Sequence, residues 1–407
     1  MTYDEAIKYL ESLAGFGMKP GLQRITKLLN LLDNPQNKYK TIHVTGTNGK
    51  GSVCALISQI IYEARLKVGL YTSPHLVSYC ERIKIDNIDI SENDFADLVE
   101  LMKSNIQKML DDGDEHPTLF EVLTAMAFTH FANQNVEYAV IEVGLGGLLD
   151  STNVITPKLC IITNVANDHA DRCGGGLRGI AMHKAGIIKP GVPVVTAATG
   201  KALKIIQDTA DMAGSKCLVY DDSKDKELLK LSLPGLYQTQ NGIVVMLSML
   251  ELQDYRINQR AILTGIKHFK WPGRFELFNV NGKQVLIDGA HNGAGAEALR
   301  MSIDREFSKG RRVFLFGVLK DKDIDKMIYN LFRKKDFVIV TKPDSERAAA
   351  PADVCEMLKA KSIESVAIDD VDEAFERFIN EDAKILIAAG SLYMIGHIRE
   401  KIINLLQ

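Results

Sequence analysis

The run Thr41-Ile42-His43-Val44-Thr45-Gly46-Thr47-Asn48-Gly49-Lys50-Gly51-Ser52 constrains the fold more than any other part of the chain. It reads as a short apolar strand that breaks into a glycine-rich loop carrying one lysine and one hydroxyl. Behind it, Val53, Leu56, Ile57, Ile60 and Ile61 recur at helical spacing, which predicts a helix with one buried stripe and the loop at its N-terminus. Gly46, Gly49 and Gly51 can take positive φ and turn backbone N–H groups inward, Lys50 can reach phosphates, and Ser52 can face their magnesium. A loop of this kind cradles a nucleoside triphosphate. It departs from the generic phosphate loop at two places: Val44 stands where the first glycine belongs, and Gly51 follows the lysine.

The rest of the chain repeats the same strand-and-helix rhythm. Ile42–Thr45, Tyr138–Val143, Leu159–Val165 and Val192–Ala197 are apolar runs, each followed by a loop and a helical pattern, as in a mostly parallel sheet covered on both faces. A second series has strands at Val285–Asp288, Val313–Gly317, Phe337–Thr341 and Ile385–Ala389. Helical patterns lie near Ala294–Asp304, Ile324–Phe332, Ala352–Lys359 and Leu392–Leu405. Trp271-Pro272-Gly273-Arg274 interrupts regular structure between the two series, so the expected domains are residues 1–271 and 272–407. A chain of 407 residues is long enough for two cores.

Composition excludes several classes of partner. Charged residues make up 25% with a net charge of −3, which favours neither a nucleic-acid backbone nor an anionic membrane. The six cysteines are scattered without a Cys-x-x-Cys pair and read as reduced thiols. The first residues pattern as a polar amphipathic helix, and no apolar run approaches the ~20 residues of a membrane span. A cytoplasmic monomer is expected.

Several segments place reactive groups at strand ends. Glu142 is one carboxylate inside an apolar strand just before the turn Gly144-Leu145-Gly146-Gly147, so it needs a cation, either a neighbouring side chain or a ligand. In open α/β sheets ligands gather at the carboxyl ends of strands, where Glu142 and the phosphate loop both fall. Thr163-Asn164-Val165-Ala166-Asn167-Asp168-His169 brings an imidazole to another strand end, as a metal ligand or a hydrogen-bonded loop residue. Thr72-Ser73-Pro74-His75 offers the Ser73 hydroxyl, or is simply a turn. Hydroxyl, carboxylate and imidazole beside a triphosphate suit magnesium. Lys184, at a helix end punctuated by Gly186 and Pro190, reads by itself as a surface lysine. Asp288-Gly289-Ala290-His291-Asn292 leaves a strand for a helix, and Arg274 could clamp a phosphate or carboxylate.

Together these residues resemble the folylpolyglutamate synthase and dihydrofolate synthase family within the Mur-type amide ligases. The likeness runs through HVTGTNGKGS, TSPHL with Glu81-Arg82-Ile83, Phe120-Glu121, EVGLGG with Leu149-Asp150, Asp168-His169, KAGIIKPG, WPGR, DGAHN and Gly390-Ser391-Leu392-Tyr393. It implies an α/β protein, with an N-terminal phosphate-loop ATPase domain built on a mostly parallel sheet and a smaller C-terminal Rossmann-like domain. It also implies ATP-dependent amide formation, in which an acyl phosphate on a dihydropteroate or reduced-folate carboxylate is attacked by the amine of L-glutamate. By this resemblance Gly49, Lys50, Gly51 and Ser52 hold ATP phosphates, and Asn241, Arg274, Asp288 and His291 complete a nucleotide site reached from both domains. Ser73, Glu142, His169 and Lys184 serve two magnesium sites, Lys184 as a carbamylated lysine. Lys184, His169 and Glu142 are the catalytic set. Thr118, Leu119, Phe120 and Glu121 with Leu149, Asp150 and Ser151 line the pterin.

The chain departs from the family pattern where Leu148 replaces the usual arginine, His183 the usual glutamate before the special lysine, and Gly293 the usual proline. Cys173-Gly174-Gly175-Gly176 is also richer in glycine than usual. Leu148 keeps open a divergent ligase acting on a non-folate carboxylate. A nucleotide-dependent binding module without ligase chemistry would not need Glu142, His169, Lys184 and Asp288 together, and the Gly-Lys-Gly-Ser loop disfavours a peptidoglycan ligase.

Overall fold

The computed structural model describes residues 1–17, 19–167, 173–221, 233–307 and 310–406. It divides into two compact units, Met1–Leu231 with Asn241–Phe269, and Ser232–Gln240 with Lys270–Gln407. In the first unit the strands are β1 (Lys40–Thr45), β2 (Val68–Tyr71), β3 (Ile83–Ile85), β4 (Ile88–Asp89), β5 (Tyr138–Glu142), β6 (Leu159–Ile162), β7 (Val194–Thr196) and β8 (Cys217–Val219). They form one sheet in the order β4-β3-β2-β5-β1-β6-β7-β8. Strands β2, β5, β1, β6, β7 and β8 are mutually parallel, and the β2–β3 and β3–β4 pairs at one edge are antiparallel. Every residue of β2, β5 and β6 is buried, which is why these segments read as unbroken apolar runs.

The chain leaves β1 toward β2 on one side and leaves β6 toward β7 on the other, so the carboxyl ends of β1 and β6 flank a topological switch point. Helix Lys50–Glu63 fills the crossover. The expected single buried stripe is too narrow a description, because Ser52 through Ser58, with Ile60 and Ile61, are all buried. The reason is a second helix, Gln259–His268, laid against its outer side. Gly265 makes that approach possible: a Cβ there would lie 2.6 Å from Ile60 Cγ1 and 2.8 Å from Ile60 Cα. On the β2–β5 side, helices Tyr3–Ser12, Gln23–Leu31, Glu92–Asp111 and Leu119–Asn133 share one apolar core.

The second unit carries β9 (Glu276–Val280), β10 (Lys283–Asp288), β11 (Val313–Phe316), β12 (Phe337–Val340), β13 (Glu364–Ala367) and β14 (Ile385–Ala389) in the order β13-β12-β11-β14-β10-β9. All neighbours are parallel except the β9–β10 hairpin. Helices Gly293–Glu306, Ile324–Leu331, Pro351–Ala360 and Leu392–Leu406 occupy the four stretches where the helical spacing predicts them. The molecule is thus the expected pair of mostly parallel α/β units. The short strands β3, β4, β8, β9 and β13 carry too little apolar alternation to be read from sequence. No described helix is long and apolar enough to cross a membrane.

Candidate active site

The glycine loop is latched to the segment after β6. Thr47 N–H donates to Asn164 O (3.0 Å), Asn48 N–H to Asn164 Oδ1 (3.0 Å), and Thr163 Oγ1 to Asn48 O (2.6 Å). Gly46 is required by contact, since a Cβ would fall 1.8 Å from Thr163 Oγ1. Gly49 has φ +84° and is the N-cap of helix Lys50–Glu63. A glycine N-cap has no side chain to satisfy first-turn N–H groups, the arrangement that favours an anion there. The buried side chain of Asn241 packs on the same glycine, with Oδ1 2.5 Å from where a Cβ would stand. Lys50 Nζ curls over the loop to the carbonyls of Gly46 (3.1 Å) and Thr47 (3.3 Å). Gly51 differs from the expectation of positive φ: it is the second residue of the helix, whose turn it continues.

One strand away, Glu142 ends β5 opposite Val44 of β1 and is 4% exposed. Its Oε2 accepts the backbone N–H of Ser73 (2.9 Å), which brings the serine beside the carboxylate. Glu142 also lies near the fully buried Cys54, whose thiol is pushed well up by burial first and by the Glu142 charge second, against the pull of Lys50. A carboxylate and a serine hydroxyl are oxygen donors, which match a hard cation such as magnesium better than a zinc centre. Among the described residues no group of three or more His, Cys, Asp or Glu side chains is poised to hold a metal. His169 lies outside the described residues.

The turn after Glu142 is braced from several directions. Asp150 is buried and accepts from Leu145 N–H (2.9 Å), Thr152 N–H (3.0 Å) and Thr152 Oγ1 (2.6 Å). Burial raises the Asp150 carboxyl, and these donors pull it back down. Because the Thr152 hydroxyl proton goes to Asp150, the 2.9 Å contact with His43 Nε2 requires the imidazole to donate there. His43 is fully buried in β1 and its ring is lowered to about 3, by burial first and the Lys189 charge second. Phe120 packs on Gly144, where a Cβ would meet its ring at 2.5 Å. Thr118 and Glu121 form the capping box of helix Leu119–Asn133, and Arg24 Nε donates to Glu121 Oε2 (3.1 Å). Ser151 is buried with Oγ 2.8 Å from Thr124 Oγ1, whereas Leu149 is 43% exposed.

Lys184 is not a surface lysine. It sits in the last turn of helix Gly176–Ala185 at 5% exposure, held against the same turn. Leu148 N–H donates to His183 O (2.8 Å), and a Cβ on Gly147 would come within 2.7 Å of that oxygen and 3.4 Å of Lys184 Cα. The local pattern misses this burial because the cover comes from residues almost forty positions away.

In the second unit Asp288 ends β10, buried. Its Oδ2 accepts from Tyr237 Oη (2.5 Å) and Phe275 N–H (2.8 Å), and its Oδ1 from Ala290 N–H (2.9 Å). Burial raises its carboxyl, opposed first by the Arg274 charge. The Arg274 guanidinium lies on Gly289, and His291 Nδ1 meets Gly289 O at 2.8 Å. Gly293 opens the next helix with the Lys326 side chain lying on it, at 2.7 Å from a would-be Cβ, which gives its missing side chain a reason. No sequence signal marks Tyr237, whose partner is fifty-one residues away.

Two family models match the chain: the Mur ligase middle domain over residues 44–280, and the Mur ligase glutamate ligase domain over residues 273–392. A dihydrofolate synthase/folylpolyglutamate synthase from Bacillus subtilis is 33% identical, with 98% of this chain and 99% of the relative covered. A folylpolyglutamate synthase crystal structure from Thermotoga maritima has 34% identity and a TM-score of 0.84, covering 98% of this chain and 96% of the other. The Mycobacterium tuberculosis folylpolyglutamate synthase complexed with ADP and AMPPCP has 27% identity and a TM-score of 0.88, with coverage of 98% and 99%. With both domain models matched in order and homology over its whole length, the chain belongs to the folylpolyglutamate synthase/dihydrofolate synthase family of Mur ligases, ATP-dependent enzymes that form an amide to glutamate.

Proposed function

We propose that this enzyme joins L-glutamate to the carboxylate of dihydropteroate or of a reduced folate, with ATP supplying the activating phosphate. The observation that carries this reading is the pairing of Glu142 with Ser73 beside the Gly46–Ser52 loop, at the carboxyl ends of the neighbouring central strands β5 and β1. Gly49, Lys50, Gly51 and Ser52 hold the phosphates through helix N-terminal amides and one ammonium. Asn241, Arg274, Asp288 and His291 are further nucleotide contacts.

Ser73, Glu142, Lys184 and His169, the last outside the described residues, are the proposed magnesium ligands, Lys184 as a carbamate. Magnesium there, when bound, supplies neutralisation of phosphate charge. The chain's own part is positional. Glu142 holds the Ser73 loop through its backbone, and the Gly147–Leu148 turn holds the buried Lys184. Carbamylation would turn the Lys184 amine into a carboxylate, an oxygen ligand suited to magnesium. Phe120 and Leu149 offer apolar surface to the pterin and its aryl ring. Thr118, Leu119, Glu121, Asp150 and Ser151 shape that wall, Asp150 through the turn its oxygens hold.

Purified enzyme is expected to release ADP only with L-glutamate and one of the two acceptors present. No stimulation by dihydropteroate or tetrahydrofolate would sink the folate assignment, and glutamate transfer to another carboxylate would replace it.

A further inference from the structure

The segment between β2 and β3 is a closed loop whose one carboxylate, Glu81, and one guanidinium, Arg82, do not pair with each other. Thr72 N–H donates to Arg82 O (3.0 Å) and closes it. The Glu81 carboxylate is spent inside, accepting N–H groups from Leu76 (2.8 Å), Val77 (2.9 Å) and Ser78 (2.9 Å). Arg82 donates Nε–H to His75 Nδ1 (2.8 Å), and its guanidinium lies 5.3 Å from the Tyr79 ring centroid, on which His75 also packs at 4.4 Å. The Nε edge and the face of Arg82 are therefore used on neutral partners. Among the described residues no carboxylate pairs with Arg82, though it is only partly exposed. With Nδ1 accepting, the neutral His75 ring carries its proton on Nε2 and is a donor as well.

This edge of donors belongs to the reacting end of the sheet. The same loop gives Ser73 N–H to Glu142, and the buried Tyr71 hydroxyl lies within electrostatic reach of Arg82, Asp150 and Glu142. A guanidinium partly withdrawn from water and lacking an anion is completed by one, and its planar fork matches a carboxylate. On the acceptor reading above, dihydropteroate has one carboxylate and spends it in the reaction, whereas a folate already bearing glutamate keeps a second that does not react. We infer that Arg82, positioned by His75, binds this non-reacting carboxylate and makes the loop a determinant of preference for glutamylated acceptors over dihydropteroate.

The test is steady-state kinetics of full-length Arg82→Gln, Arg82→Lys and His75→Phe with tetrahydrofolate and with dihydropteroate. Arg82→Gln is expected to lower kcat/KM for tetrahydrofolate relative to dihydropteroate by about 10- to 100-fold, chiefly through the folate KM. Arg82→Lys should recover part of that ratio, and His75→Phe should move it in the same direction by less. An unchanged ratio overturns the inference, as does a rise in the L-glutamate KM with both acceptors, which would assign the carboxylate to the incoming amino acid. If Arg82→Gln fails to fold, the lysine and His75 variants decide. Wild-type turnover of neither acceptor removes the folate reading itself, and the inference with it; wild-type turnover with an unmoved ratio removes the inference alone.

Discussion

Single residues in this enzyme are constrained by what covers them. Lys184 is buried by a glycine turn rather than by its own helix alone. Lys184→Ala is expected to lower the ligation rate by about 10²- to 10³-fold, the scale of losing one charge-stabilising group, with nucleotide affinity nearly unchanged. Equilibrium binding of an ATP analogue beside turnover checks this, and a parallel loss of both would remove the role. His43 makes a different prediction. Its folded value of about 3 lies below the ordinary 6.5, so the unfolded chain binds the extra proton first. The stabilisation is complete above pH 6.5 and is lost as pH falls toward 3, at up to about 1.4 kcal/mol per pH unit. Urea unfolding between pH 4 and 7 should show a shallower slope for His43→Gln, which keeps an N–H for Thr152. An unaltered slope would mean that His43 is not the group responsible.

At the scale of elements, the helix behind the phosphate loop is held from two sides, by the sheet and by helix Gln259–His268. Gly265→Ala would gain helix propensity but drive a methyl into the Ile60 backbone, and the contact dominates. The expected cost is about 1–3 kcal/mol in urea unfolding, with weaker nucleotide binding because the loop rides on that helix. A stabilised variant would show that the two helices can part without penalty. The principal parallel strands and the four helices of the second unit were legible in the sequence, since period and burial coincide there. The double cover on helix Lys50–Glu63 was not, because the covering helix is some two hundred residues downstream and its key residue is a glycine with no pattern of its own.

For the molecule as a whole, the chain does not pass once from one unit to the next. Residues 232–240 are grouped with the later unit although 241–269 return to the first. Within the second unit, Tyr237 Oη bonds to Asp288 and Leu236 N–H to Ser302 Oγ (2.9 Å). A fragment of residues 270–407 should therefore melt below one in which 232–240 is joined back by a short linker, by the equivalent of about 1–3 kcal/mol for a buried carboxylate deprived of a donor. Equal melting would show that the early segment contributes nothing to that core. By itself the sequence determined the alternating α/β order, the glycine loop at a helix N-terminus and, through ordered motifs, the family, because each depends on residues close together in the chain. The tertiary structure alone decided that Lys184 is buried, that Ser73 meets Glu142, that Asn241 rests on Gly49 and that no carboxylate among the described residues pairs with Arg82. Those outcomes depend on which strand ends lie side by side, and strand order is set by packing among distant segments rather than by any local pattern.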